Sequence, residues 1–140
     1  MKDDGNSTRS GHPIAVLTER LHHDLDSITD VATWSLNPAE TRNLLVRLTR
    51  ATARLAEVES RVFSHAEEIA AGVETGATST ANWLAHTTRV TRPTAHRKAH
   101  LAKALAVHET TQGALGRGEV HVDQAAVITA TVDALPEDPA

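Results

Sequence analysis

The sequence has no cysteine. Disulfides and thiolate metal sites are therefore excluded, and nothing points to an oxidising compartment. Aromatic residues make up only 2% of the chain: Trp34, Phe63 and Trp83. Any core must be built from Leu, Val, Ile and Ala. Glycines and prolines are few and fall in clusters between apolar stretches. No run of alternating β-branched residues is present, so strands are not expected. No stretch approaches the roughly 20 apolar residues of a membrane span. The polar first residues lack the apolar centre of a signal peptide. These absences lead to the expectation of a cytoplasmic protein with no membrane partner.

What is present suits a globular domain. Apolar residues make up 40% of the 140 positions, enough to bury a core. The net charge of −4 is unevenly spread. Residues 1–74 hold eight Lys/Arg and twelve Asp/Glu, and residues 109–140 hold one Arg and six acids. Residues 75–108 between them hold five Lys/Arg and no acid, together with His86, His96, His100 and His108. This basic island is the most informative electrostatic feature.

Periodicity assigns an all-α fold: a long antiparallel helical hairpin plus a helix-turn-helix-like cluster of shorter helices. Residues 1–11 read as a flexible tail, and 12–140 as a single helical domain. Pro13 suits a first helical turn, and Ile14, Leu17, Leu21, Leu25 and Ile28 follow at helical spacing. That helix is expected to run to about Trp34. Asn37, Pro38 and Glu40 form a strong helix start of the capping-box type. Leu44, Leu48, Ala51, Leu55, Val58, Val62, His65 and Ile69 then recur every 3.5 residues on average. This is a coiled-coil-like seam on a helix expected to stop near Gly72. Such a seam needs a partner, and the first helix folding back is the obvious one.

Gly72 and Gly76 punctuate a loop. Thr78 or Ser79 can cap a short helix, which Thr88 to Thr91 breaks. Thr91 can cap a longer one with Arg92-Pro93 in its first turn. Gly113, Gly116 and Gly118 are expected to form another loop, and a last helix begins near Val122. Leu135-Pro136 is its exit.

The stretch from Thr78 to Ala106 has the layout of a helix-turn-helix. Its second helix carries His96, Arg97, Lys98, His100 and Lys103. The spacing puts His96, His100 and Lys103 on one face, with Arg97 and Lys98 flanking it. Arg89 and Arg92 stand at its N-terminal end. Arg side chains and helix N-termini favour phosphate, so these seven residues are the candidate DNA contacts. The bland alternative is a solvated basic face on an Ala-rich helix. No Asn or Gln is placed there to read adenine.

Other chemistries find little support. His96 and His100 have the spacing of two zinc ligands, but no third ligand follows and the zinc-protease glutamate is missing. His22-His23-Asp24 points to different faces. His65 falls on the apolar seam and reads as a hydrogen-bonded seam histidine. No nucleophile elbow or phosphate loop occurs. Glu57/Glu59 and Glu67/Glu68 read as solvent face. No metal, cofactor or catalytic residue is expected.

Several stretches together resemble one known family. They are the long-helix segment from Arg54-Leu55-Ala56-Glu57, Gly76-Ala77-Thr78-Ser79 through Trp83-Leu84, and Ala95-His96-Arg97-Lys98 through Leu105. Gly118-Glu119-Val120-His121 with the residues to Ala125, and Ala134-Leu135-Pro136, complete the set. The family is a helical domain of unknown function that precedes HNH endonuclease modules in high-GC bacteria. The resemblance spans residues 14–140. It implies a non-catalytic, DNA-associated domain that positions a nuclease. His121 stands where the family usually has a capping Ser, so that helix start is expected to be softer. The family would continue with more helices and the HNH module, which nothing here matches. The chain is thus expected to be truncated at its C-terminal end. The alternative function is a protein–protein or homodimerisation module using the 44–69 seam.

Overall fold

The computed structural model describes residues 11–136. Among them are six helices and no strand: α1 (Pro13–Ser27), α2 (Pro38–Glu68), α3 (Thr80–Thr88), α4 (Arg92–Val107), α5 (Glu109–Gly116) and α6 (Val122–Ala134). The chain divides into two compact units, one ending at Thr41 and the other beginning at Arg42. The tail expected over 1–11 lies, apart from Gly11, outside the described residues.

The helix boundaries have local causes. In the first unit, His12 Nδ1 accepts from the Ile14 N–H and Pro13 opens α1. The helix stops at Ser27, short of Trp34. Ser27 and Thr29 turn their hydroxyls onto the carbonyls of Asp24 and Leu25, which competes with helix continuation. The Asn37 capping box forms in full: Glu40 N–H donates to Asn37 Oδ1 at 2.8 Å, and Asn37 N–H donates to Glu40 Oε1 at 3.1 Å. The long helix α2 ends at Glu68, four residues before Gly72. Ala70 takes the left-handed position (φ 52°), and the Ala71 N–H reaches back to the Ala66 carbonyl in a Schellman closure.

Gly72 serves a different purpose. A Cβ there would lie 2.5 Å from the Thr80 Cα, so glycine permits the loop to touch the start of α3. A single 3-10 turn, Val73–Thr75, bridges the gap. Ser79 caps α3 by accepting from the Asn82 N–H, and Thr91 caps α4 by accepting from the Thr94 N–H.

The glycine-rich stretch expected as a loop holds α5 instead. Gly116 ends this helix where a Cβ would press on Glu57 Oε1 at 3.2 Å. Gly118 has φ +74° and lies against Arg50 of α2. Glycine thus lets α5 and its exit approach α2 closely, as well as turning the chain. The α6 start at His121 is tied by its N–H to Gln124 Oε1, the return half of a capping box.

The core of the second unit has two clusters. Ala53 of α2 packs with Leu101 and Leu105 of α4, Leu115 of α5 and Ala125 of α6. Phe63 of α2 packs with Ala81 and Ala85 of α3 and Ala95 and Ala102 of α4. Leu105 and Leu115 are fully buried, each stabilising by ~2 kcal/mol. The face that α2 buries is Ala53, Glu57, Ser60 and Phe63. At 100° per residue this face is about 180° from the Leu44–Ile69 seam. The small side chains Ala53 and Ser60 allow close helix approach, whereas Leu48, Val62 and Ile69 of the seam point away. Leu48, Leu55, Val62 and Ile69 remain 40–62% exposed.

Candidate nucleic-acid interface

The helix α4 buries Ala95, Leu101, Ala102 and Leu105. The helical period puts Arg92, His96, His100 and Lys103 on the opposite face, and all four are exposed. They form one outward basic stripe beginning in the first turn. The preceding turn, Arg89-Val90-Thr91, is three residues long and joins α3 to α4. α3 and α4 pack through the alanines of the second core cluster.

Arg89 is exposed and left-handed, with φ 63° and ψ 20°. This conformation favours glycine and costs an arginine about 1 kcal/mol. Arg97 is exposed but lies to one side of the stripe, where its Nη2 donates to Thr94 Oγ1 at 3.1 Å. Lys98 departs most from its expected place. It turns towards α2, half-buried, and its Nζ donates to Glu59 Oε1 at 2.6 Å. Its charge is already paired, so it does not flank the stripe as expected.

One polar residue of this surface is not singled out by spacing. Asn82 of α3 donates through Nδ2 to Thr78 Oγ1 at 2.6 Å. Its Oδ1 lies 3.1 Å from His96 Nε2, so His96 donates there. This bond ties the stripe to α3. Asn82 is three residues after the capping Ser79, but nothing in the sequence alone relates it to His96.

Glu57 was read as solvent face and is instead 8% exposed. Arg61 Nε donates to its Oε2 at 2.7 Å, and Gln112 Nε2 of α5 donates to the same oxygen at 3.2 Å. Nearby, Arg54 Nε donates to the Gly116 carbonyl at 3.2 Å. This polar clasp fastens α5 to α2. By contrast His65 stays exposed on the seam, 3.9 Å from Glu68.

Beside α4 runs a groove of about 620 Å³ walled by α2, α4 and α6. Leu55, Phe63, Leu101, Ala104, Val122 and Ala126 give it an apolar lining, with Arg97 and the Lys98–Glu59 pair on its rim. Among the described residues no three His, Asp or Glu converge as a metal site, so His96 and His100 gain no third ligand. No described helix is long and apolar enough to cross a membrane. The perturbed titrating pair is peripheral: Arg117 holds the fully exposed Glu119 carboxylate below its ordinary range through a 2.7 Å hydrogen bond.

No curated protein and no solved structure matches the chain. Residues 42–140, the whole of the second unit, match the model of the domain of unknown function DUF222, and the chain belongs to that family.

Proposed function

We propose that this DUF222 domain binds duplex DNA through the outward face of α4 and so holds an HNH-type nuclease module on its substrate. The observation that carries the reading is the stripe of Arg92, His96, His100 and Lys103 on one exposed helix face, in a segment that holds no acid. A helix fits the major groove of duplex DNA, and the stripe's charge suits the phosphates that line it. Arg89 supports the same reading. An arginine kept in a conformation that favours glycine is a local cost, and such costs cluster at functional sites. The stripe has no Asn or Gln to read adenine, and its charge suits phosphate contacts that position the protein on the duplex.

The nuclease half of the proposal rests on the family resemblance described above. In that arrangement the chemistry belongs to the module, and this domain supplies affinity and orientation.

The test is fluorescence anisotropy with a labelled duplex at low and moderate salt. Salt-sensitive binding that weakens in Arg92→Ala plus Lys103→Ala is the expected outcome. Absence of binding at low salt would make the stripe a solvated face and end the proposal.

A further inference from the structure

The polar atom that faces the α4 stripe from α3 is Asn82 Oδ1, 3.1 Å from His96 Nε2. Asn82 is half-buried, and its helix neighbours Ala81 and Ala85 pack against Ala95 and Ala102 of α4. The bond therefore spans two helices whose packing holds both of its ends. An amide oxygen only accepts, so the neutral His96 ring carries its proton on Nε2. Among the described residues His96 Nδ1 makes no hydrogen bond. A second proton goes there and breaks nothing, because the charged ring still donates from Nε2.

Imidazole is the side chain whose ordinary titration falls between about pH 5 and 8. On α4 the charged or titrating residues around His96 are Arg92, Arg97, His100 and Lys103, and on α3 His86 stands one turn after Asn82. Residues 75–108 hold no acid. The acids on other elements are engaged or distant. Glu57 is clasped by Arg61 and Gln112, Glu59 is paired with Lys98, and Asp133 with His108. Glu109 lies past the far end of α4, ~16 Å along the helix from His96. Asp123 of α6 shares the groove wall with His100, not with His96. DNA phosphate is thus the anion to which a protonated His96 is open.

We propose that Asn82 is a positioning residue for His96 and makes that histidine the proton-linked contact of the stripe, so that the domain holds DNA more tightly as pH falls. The inference rests on the reading of the stripe as a DNA contact. The neutral ring offers a phosphate no charge, whereas the protonated ring offers a charged N–H donor. Phosphate therefore favours the protonated form, and by reciprocity the proton favours DNA. Arg92 and Lys103 keep the face positive throughout, so binding persists when His96 is neutral and strengthens when it is charged. Asn82 sets which nitrogen takes the proton, and it does so without touching DNA itself.

The test is anisotropy of a labelled duplex with the full chain at fixed low salt, run from about pH 8 to pH 5. Affinity should rise about fivefold or more across that range, the lower end of an ordinary coupling between two ligands. His96→Gln should remove a large part of the rise and leave affinity at the alkaline end unchanged. Asn82→Ala should also flatten the profile, although His96 is still present and helical circular dichroism is unchanged. Asn82→Asp should restore the rise and move its midpoint to higher pH, because a carboxylate accepts the same bond and favours the charged ring. A purely structural role for Asn82 would not move that midpoint. Salt-sensitive binding whose pH profile is the same in the parent, Asn82→Ala and His96→Gln would overturn this inference and leave the DNA reading standing. Absence of binding at every pH would end both.

Discussion

Lys98 and Lys103 stand five residues apart on α4 and look equivalent in the sequence, but the structure separates them. Lys103 lies on the exposed stripe, whereas Lys98 is half-buried and already neutralised by Glu59 at 2.6 Å. Each phosphate contact steepens the dependence of log affinity on log salt by ~0.9. Contacts from Arg89, Arg92, Arg97 and Lys103 give a slope of about −3.6, or a loss of affinity of ~150-fold between 50 and 200 mM salt. Were Lys98 a fifth contact, the slope would be about −4.5 and the loss ~500-fold. Anisotropy titrations at four or five salt concentrations resolve that difference. Lys103→Ala should reduce the slope by ~0.9, and Lys98→Ala should leave it unchanged. Lys98→Ala should instead cost up to about 1 kcal/mol of stability, the range for a partly exposed ion pair. Thermal melting in the same buffer reads that cost. Equal loss of slope in the two variants would refute the assignment of Lys98 to the fold.

Stability measurements test the remaining geometry. Gly72→Ala should destabilise by ~1–3 kcal/mol, because its Cβ would meet the Thr80 backbone at 2.5 Å; an unchanged melting temperature would mean the loop does not touch α3. Two residues earlier the sign reverses. Ala70→Gly should stabilise by about 0.5–1 kcal/mol, since φ 52° favours glycine, although helix propensity alone points the other way. Glu57→Gln should cost about 1–2 kcal/mol by weakening the clasp to Arg61 and Gln112, whereas a true surface position would move by less than about 0.5 kcal/mol in a denaturant melt. Glu119, held below the ordinary carboxylate range by Arg117, contributes stability through its ionised form. That contribution is present above the unfolded carboxylate range and is lost as pH falls through the lowered folded value, so Glu119→Gln and the parent should converge in melting temperature at strongly acid pH.

The sequence by itself determined the helices that carry their own signals. Asn37, Ser79 and Thr91 satisfy orphan N–H groups within one turn, and that information is local. The all-helical class, the start of α2 and the α3–turn–α4 layout were therefore legible in advance. So was the shared face of His96, His100 and Lys103, because an amphipathic period of 3.6 places them together, whereas Arg92 joins that face only in the structure.

Tertiary structure decided whatever depends on partners distant in the chain. The segment after Glu109 was misread as a loop because Gly113 and Gly116 lower helix propensity, yet glycine at 116 is what lets α5 lie against Glu57. Glu57 and Lys98 look like solvated charges until Arg61, Gln112 and Glu59 are brought to them. The seam of α2 is plain in the sequence, but a hydropathy pattern cannot say which face the bundle will use. That choice went to the small residues Ala53 and Ser60, because close packing rewards fit between surfaces as well as the apolar area buried.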